Sequence, residues 1–233
     1  DVAMIQSLVR KGQVDDVVAG YGHVIVDECH HVSASSFARV LSEVKAHFVL
    51  GLTATPRRRD GHDPIVEMQL GPVRFAVSAK ASAAARGFAH GLVIRETSFS
   101  APWSPGDAIQ DLYAAMASDE ARNALVLDDV ISALEGGRSP LLLTERRDHL
   151  EFFAQKLSGV ARNLVVLHGG LSARERKDAV ASLAAIPADE ERLVVATGRY
   201  VGEGFDDPRL DTLVLALPVA WRGTVVQYAG RLH

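Results

Sequence analysis

The chain has 233 residues, of which 48% are hydrophobic and 23% charged, and its formal net charge is −4. This composition is typical of a globular protein, and the length allows one large domain or two small ones. The single cysteine, Cys29, excludes a disulfide framework and a cysteine-rich zinc site, and we expect it to be a small buried residue. No apolar run approaches the roughly 20 residues that span a bilayer, and no signal peptide is visible, so we predict a cytoplasmic protein without membrane contacts.

Seven apolar runs have the composition of β-strands, and helical patterns lie between most of them. In chain order the runs cover residues 24–26, 48–52, 92–94, 141–143, 164–167, 193–196 and 213–217. Two of the helices are predicted by apolar stripes, at Phe37, Val40, Leu41 and Val44 and at Leu150, Phe153 and Leu157. Apolar strands that alternate with helices indicate an α/β fold, with a parallel sheet that is covered on both faces.

Residues 98–110 include a segment that is rich in proline and serine and has no periodicity, which predicts a linker between two α/β lobes. The first lobe then spans residues 1–97 and the second spans residues 111–233. Within the second lobe, Gly136 and Gly137 predict the end of a helix. The chain has no initiator methionine, opens inside an apolar segment and stops inside a predicted helix. We therefore expect a piece of a longer protein, with the first lobe truncated at its N-terminus.

Two adjacent carboxylates, Asp27 and Glu28, directly follow the first apolar run. Parallel sheets place their ligand loops at the carboxyl ends of the strands, so we expect these residues to lie beside the segment 53–56, which follows the next run. Phosphoryl transfer needs a metal ion at the phosphate oxygens and an oriented nucleophile, and two carboxylates can serve these two places. A solvated strand end without catalytic function is the alternative.

The sequence His23-Val24-Ile25-Val26-Asp27-Glu28-Cys29-His30, followed by Thr53-Ala54-Thr55-Pro56, resembles motifs II and III of superfamily 2 helicases. The first of these segments is the DECH variant of the DEAD/DEAH box. The resemblance implies that the protein uses ATP and Mg²⁺. It also implies that Asp27 holds the metal and that Glu28 orients and deprotonates the attacking water.

Other residues of the first lobe receive roles from the same resemblance. It implies that His30, Thr53 and Thr55 couple the nucleotide state to the nucleic-acid surface. It also implies that Gln6 and Ser7, which lie in a polar turn before the box, contact nucleic acid. A partly buried histidine that caps a turn is the alternative interpretation of His30.

The second lobe resembles motifs IV, V and VI of the same family in the expected order. Ser172 and Glu175 fit a capping box, which predicts a helix with an arginine, Arg176, in its first turn. Such a helix amino terminus offers free N–H groups to a phosphate. The resemblance implies nucleic-acid contacts for Thr144, Arg176 and Thr197.

Nucleotide contacts in the second lobe are also implied by the resemblance. They fall on Gly204, Asp206, Gln227 and Arg231. Arg231 would reach the γ-phosphate across a cleft between the lobes, where an arginine adds several orders of magnitude in rate. The last arginine of motif VI would follow His233 and is not in this chain.

The resemblance extends from Gln6 to Arg231 and implies two RecA-like parallel-sheet lobes. The motifs are most similar to the restriction-subunit and DNA-repair branch, and several segments also resemble helicases of the TOTE conflict systems. We therefore expect an ATP-dependent DNA helicase or translocase, with nuclease or primase–polymerase modules as candidate companions. An RNA helicase, and a catalytically silent nucleic-acid-binding scaffold of the same fold, are the alternatives.

No Gly-x-x-x-x-Gly-Lys-Ser/Thr phosphate loop occurs in the 233 residues. In superfamily 2 helicases this loop lies upstream of the acidic box, which fits the expected truncation. Without the loop, Asp27 and Glu28 would face a triphosphate with little to offset the repulsion. We therefore predict that the parent protein is an ATP hydrolase but that this chain alone is inactive.

Overall fold

The computed structural model describes residues 1–10, 12–29, 35–53, 63–77, 91–102, 104, 106–198, 200, 207–219, 225, 228–230 and 232. The chain divides into two compact units, residues 1–93 and 94–233. Some predicted site residues lie outside the described residues, and their roles stay predictions: His30, Thr55, Gly204, Asp206, Gln227 and Arg231. No helix in the described ranges is both long enough and apolar enough to cross a membrane.

The first unit contains a short hairpin and a parallel strand pair. The hairpin strands are β1 (Val9–Arg10) and β2 (Gln13–Val14), which pair antiparallel. The strands β3 (His23–Val26) and β4 (Phe48–Gly51) pair in parallel, with Val26 opposite Gly51. Helix α1 (Ser35–Glu43) connects β3 to β4, and α2 (Asp63–Leu70) lies after β4 in the chain.

The helices of the first unit pack on one face of its strand pair. Val26 and Cys29 are buried there, against side chains of α1 and α2 such as Leu41 and Leu70. The backbone of Gly51 allows close packing, because a Cβ at this position would lie 2.7 Å from Leu70 Cδ1 and 3.0 Å from Cys29 Sγ. Alternate residues of a strand point to opposite faces. On the other face, Ile25, Phe48 and Leu50 are exposed.

The second unit is a four-stranded parallel sheet with helices on both faces. Its elements are α3 (Ile109–Ser118), α4 (Glu120–Glu135), β5 (Pro140–Thr144), α5 (Arg147–Leu157), β6 (Leu164–Leu167), α6 (Ala173–Ala185), β7 (Leu193–Thr197) and β8 (Thr212–Leu215). The strand order is β6-β7-β5-β8, and every neighbouring pair is parallel. The predicted α/β fold with a parallel sheet is confirmed.

Two apolar clusters cover the two faces of this sheet. One contains Leu150, Phe153 and Leu157 of α5 together with Val130 of α4. The other contains Leu183 of α6, and Leu210 and Tyr228 from later segments. The central strands β5 and β7 are buried along almost their whole length, since both faces are covered. α4 ends at Glu135 with Gly136 as its C-cap, as the glycine pair predicts.

The apolar run 92–94 is not a strand, so this element of the sequence prediction is wrong. Leu92, Val93 and Ile94 are 87%, 77% and 79% exposed and have no ladder partner in the described part of the chain. Three apolar residues are too few to specify a strand without such a partner. The segment just after them belongs to the second unit, where Arg95 forms an ion pair with Asp129 of α4 at 2.9 Å.

Candidate nucleotide and nucleic-acid sites

The acidic pair forms a tight turn at the carboxyl end of β3. Asp27 is exposed, and its Oδ1 accepts a hydrogen bond from the Glu28 backbone N–H at 2.9 Å. Glu28 is half-buried and has a φ of +47°, a left-handed conformation that is uncommon outside glycine. The chain therefore leaves the strand direction abruptly at the two predicted catalytic carboxylates.

Backbone hydrogen bonds join this turn to the segment that carries Thr53. Leu52 N–H donates to Val26 O at 2.8 Å, and Cys29 N–H donates to Leu52 O at 2.9 Å. These bonds continue the pairing of β3 with β4 beyond the strand ends. The structure thus brings the acidic turn and Thr53 to one edge of the sheet, as expected from the sequence.

Cys29 is buried directly beside the acidic pair, as expected. Burial raises the pKa of its thiol, and the charges of Glu28 and Asp27 raise that pKa further. A thiol with a raised pKa stays protonated and is a poor nucleophile. Cys29 therefore contributes packing against Gly51.

The donor chemistry of the turn fits a magnesium ion that is shared with a nucleotide. Mg²⁺ binds through one or two carboxylates together with substrate phosphates and waters. Asp27 supplies an exposed carboxylate at the strand end. The described residues contain no group of three or more His, Cys, Asp or Glu side chains that could hold a metal. The donor set therefore suits a phosphate-bridged ion and not a closed protein cage.

In the second unit, parts of the three predicted motifs meet at the carboxyl ends of β5 and β7. Thr144 and Thr197 are direct partners in the ladder between these strands. A Cβ on Gly198 would overlap both Tyr228 Oη and Glu145 Oε1. Tyr228 is 3% exposed, and its hydroxyl donates a hydrogen bond to Glu145 at 3.4 Å. Burial is the main cause of the raised pKa of Tyr228, and the negative charge of Glu145 raises that pKa further. Segments that are far apart in the sequence and that carry the three predicted motifs are therefore close together in the fold.

Thr144, a predicted nucleic-acid contact, is buried. Its Oγ1 lies 2.9 Å from His149 Nδ1, and the Arg146 backbone N–H donates to the same oxygen at 3.4 Å. The other ring nitrogen, His149 Nε2, lies 2.8 Å from Asn123 Oδ1. The hydroxyl is therefore engaged inside the unit, whereas Thr197 on the neighbouring strand is half-buried.

The predicted capping box at the start of α6 is confirmed. Ser172 Oγ accepts the Glu175 N–H at 3.3 Å, and Glu175 Oε2 accepts the Ser172 N–H at 2.8 Å. These hydrogen bonds lower the pKa of Glu175. Arg176 lies in the first turn and is exposed, with its guanidinium 5.4 Å from the centre of the Tyr200 ring.

The two predicted contacts near the amino end of the first unit are both exposed. Gln6 and Ser7 lie in a 3-10 turn that spans Ile5–Leu8. The Ser7 hydroxyl donates to Met4 O at 2.6 Å. The Ser7 hydroxyl is therefore engaged within the turn, whereas the Gln6 side chain is exposed at the surface.

A buried ion cluster beside the predicted nucleotide loop was not found by sequence reasoning. Asp207 is 4% exposed, and Arg209 contacts both of its carboxylate oxygens at 2.9 Å. Arg192 is 0% exposed, and its Nη1 lies 3.9 Å from Asp207 Oδ2. The only available signal was the position of Asp207 directly after Asp206, which does not reveal burial.

The family model described as "Type III restriction enzyme, res subunit" matches residues 1–58, which include the acidic pair. The chain is 22% identical to a protein of Acanthamoeba polyphaga mimivirus named "Putative ATP-dependent RNA helicase L396". The match covers 99% of this chain and 44% of that protein. A protein of Invertebrate iridescent virus 6, named "Putative helicase 161L", is 27% identical over 91% of this chain and 48% of its own length. The chain thus spans less than half of these relatives.

Two solved structures share the fold at low sequence identity. Saccharomyces cerevisiae Dbp5, determined with RNA and ADP BeF3, has a TM-score of 0.53 at 10% identity, covering 90% of this chain and 49% of that one. The type ISP restriction-modification enzyme LlaBIII, determined with DNA, has a TM-score of 0.53 at 19% identity, covering 91% of this chain and 17% of that one. These likenesses support a fold of RecA-like helicase domains.

The family match, the viral relatives and the fold agree on one class. The chain is similar to superfamily 2 helicases in the family model that matches residues 1–58 and in its viral relatives, and its fold is that of RecA-like helicase domains. These findings support the resemblance to helicases that the sequence motifs indicate.

Proposed function

We propose that the protein containing this chain is an ATP-dependent DNA helicase or translocase of the restriction-subunit and DNA-repair branch. The observation that carries the proposal is the acidic turn of Asp27 and Glu28, which is hydrogen-bonded to the segment of Thr53 at the edge of a parallel strand pair. The family model that covers this turn describes a restriction subunit, which favours DNA. We also propose that the two lobes have the limits 1–97 and 111–233.

The two carboxylates divide the chemistry between them. Asp27 is the exposed member and would hold Mg²⁺, which neutralises the charge on the β- and γ-phosphate oxygens when it is bound. Glu28 would orient the attacking water and accept its proton. Its left-handed φ of +47° takes the Glu28 backbone out of the extended conformation of β3. Arg231 and Asp206 are proposed nucleotide contacts by resemblance.

The nucleic-acid side of the proposal rests on the second unit. Arg176 is exposed in the first turn of α6, where the helix amino terminus also favours a phosphate. Thr197 lies at the end of a central strand of the same sheet. Groups of these types bind the phosphate backbone and carry no base information. We therefore propose binding that depends on salt and is indifferent to base sequence.

The test is the affinity of the chain for single-stranded DNA oligonucleotides of different sequence, measured by fluorescence anisotropy over a range of salt concentrations. We expect the affinity to fall as salt rises and to vary little with sequence. Replacing Arg176 by glutamine should reduce the slope of log affinity against log salt by about 1. An affinity that stays constant from low to moderate salt would contradict the proposal.

RNA is the second candidate substrate, because one viral relative is named as an RNA helicase. The same anisotropy series with RNA of matched sequence separates the two nucleic acids. In the protein that carries the phosphate loop, stimulation of ATP hydrolysis by DNA or by RNA provides an independent comparison. A Glu28→Gln variant that hydrolyses ATP as fast as the unaltered protein would favour a silent scaffold with a contaminating ATPase.

A further inference from the structure

A chain of buried polar side chains runs from α4 to the end of β5. Asn123 is 5% exposed, while His149 and Thr144 are each 2% exposed. Asn123 Oδ1 lies 2.8 Å from His149 Nε2, and His149 Nδ1 lies 2.9 Å from Thr144 Oγ1. Each ring nitrogen of His149 therefore has a polar partner within the buried chain.

The orientation of Asn123 determines which ring nitrogen of His149 carries the proton. Asn123 Nδ2 donates to Ala117 O at 2.8 Å, so its Oδ1 faces the histidine and must accept a hydrogen bond there. The donor is therefore Nε2–H. Burial, followed by the charge of Arg122, lowers the pKa of His149 to about 4, so the ring is neutral near pH 7. A neutral ring has a single N–H, which leaves Nδ1 as an acceptor.

The bare Nδ1 fixes the direction of the Thr144 hydroxyl. Thr144 must donate its only hydroxyl proton to His149 Nδ1, while its oxygen accepts the Arg146 N–H. Phosphate oxygens of a nucleic-acid backbone only accept hydrogen bonds. Thr144 consequently has no proton for a phosphate, unless it abandons a buried ring nitrogen and leaves that nitrogen unsatisfied.

Arg147 is the exposed cation that lies closest along the chain to this buried hydroxyl. Its side chain is 64% exposed and pairs with Glu151 at 2.8 Å in an i,i+4 contact, a type of surface pair that is weak. Its Nη1 lies 2.9 Å from the position that a Cβ on Gly170 would occupy. The guanidinium thus lies against the turn after β6, at the sheet edge where Thr197 ends β7. Arg146, in contrast, is bound by both oxygens of Asp148.

We propose that His149 and Asn123 are positioning residues, which direct the Thr144 hydroxyl into the second unit, and that Arg147 makes the phosphate contact that the helicase resemblance assigns to Thr144. This assignment rests on the proposed binding of nucleic acid. The phosphate contact is thus assigned to the exposed guanidinium of Arg147 and not to the buried hydroxyl of Thr144.

The first test compares the salt dependence of single-stranded DNA binding by four forms of the 233-residue chain: unaltered, Thr144→Val, Arg147→Gln and Arg162→Gln. Arg162 is the matched control, because its side chain is 72% exposed and it precedes β6, at the opposite edge of the sheet. We expect the log–log salt slope to decrease by about 1 in Arg147→Gln and to be unchanged in Thr144→Val and Arg162→Gln. A slope that decreases in Thr144→Val and not in Arg147→Gln would overturn the proposal.

A second test examines the positioning directly, without nucleic acid. Nitrogen-15 NMR of the His149 ring should show a protonated Nε2 and an unprotonated Nδ1 near pH 7. We expect Thr144→Val to lower the thermal midpoint by several degrees and Thr144→Ser to restore most of the loss, since serine keeps the donor. A proton on Nδ1 would overturn the positioning role. If no form of the chain binds DNA or RNA, the proposed function fails, while the NMR result still decides the orientation of Thr144.

Discussion

The protonation of His149 makes the second unit sensitive to acid. Burial and the nearby charges of Arg122 and Arg146 lower the pKa of this histidine to about 4, although the neighbouring Asp148 raises it. In the unfolded chain a histidine binds its proton below about pH 6.5. Between these two values the unfolded state binds more protons than the folded state. The stability that the neutral ring contributes is therefore complete above pH 6.5 and is lost as the pH falls.

We predict that the free energy of unfolding decreases by on the order of 3 kcal/mol between about pH 6.5 and about pH 4 because of His149. His149→Gln should lack this component, since glutamine does not titrate. Urea denaturation of both forms across this range measures the difference. His47→Gln, which removes an exposed histidine of the first unit, is the control. Parallel curves for the unaltered chain and His149→Gln would contradict the prediction.

At Gly198 the chain leaves no room for a side chain. A Cβ there would overlap Tyr228 Oη and Glu145 Oε1, and it would lie 3.0 Å from Tyr228 Cζ. We predict that Gly198→Ala lowers the free energy of unfolding by about 1–3 kcal/mol, because Tyr228 belongs to the buried core and cannot simply move away. Gly169→Ala is the control, since a Cβ at Gly169 meets no atom within 4 Å. Chemical denaturation that gives equal stabilities for the two variants would show this reasoning to be wrong.

Among the elements, helix α6 has an end that is fixed by a charged side chain from a later segment. Arg209 donates to Leu183 O at 2.9 Å and to Ile186 O at 2.7 Å, and it also contacts both oxygens of Asp207. A cation near the carboxyl end of a helix is favourable, because unsatisfied carbonyl groups point there. Arg209 therefore connects the carboxyl end of α6 to Asp207. Helix α6 carries Arg176 in its first turn, and Asp207 directly follows Asp206, a predicted nucleotide contact.

We predict that Arg209→Met lowers the free energy of unfolding by about 3 kcal/mol, because Asp207 stays buried with Arg192 3.9 Å away as its other cationic partner. Arg138→Met is the matched control, since Arg138 is exposed and its side chain donates a hydrogen bond of 3.4 Å to Thr212. Urea denaturation gives the free energies, and hydrogen exchange should accelerate at the end of α6. Losses of equal size in the two variants would contradict this account.

The two ends of α6 also show what sequence alone can predict. The capping box of Ser172 and Glu175 is local, since three residues of chain determine both of its hydrogen bonds. The contact of Arg209 with Leu183 and Ile186 joins residues more than twenty positions apart. No periodicity or spacing encodes such a contact, because it depends on how β7 and the segment after it pack. Sequence therefore predicted the start of this helix and missed what holds its end.

At the scale of the whole molecule, apolar patterning predicted the parallel sheets because strands that are buried on both faces are apolar throughout. The central strands β5 and β7 show this directly, with nearly every residue buried. The same reasoning failed for residues 92–94, which are apolar but have no ladder partner in the ranges that the structure describes. An apolar composition makes a segment suitable for a strand, but a strand forms only where a neighbouring strand is available for hydrogen bonding.

The sequence predicts which residues lie at strand ends, but it does not predict whether their polar groups are exposed or buried. Asp27 and Thr53 were expected at one sheet edge from their positions after apolar runs, and the ladder of β3 and β4 brings their segments together. Thr144 also ends a strand, but its hydroxyl is buried against His149. That histidine belongs to the following helix, and its partner Asn123 comes from another, so the hydrogen-bond chain exists only after folding.

The 233 residues as a whole hold only part of a nucleotide site of the helicase type. They contain the acidic pair but no Gly-x-x-x-x-Gly-Lys-Ser/Thr loop, so the carboxylates of Asp27 and Glu28 lack the N–H groups and the lysine that offset phosphate charge. We therefore expect neither tight ATP binding nor hydrolysis stimulated by DNA when phosphate release is measured with Mg²⁺. Glu28→Gln is the control, because release that is equal in both forms comes from a contaminant. DNA-stimulated release that disappears in Glu28→Gln would show that this chain completes a nucleotide site without the loop.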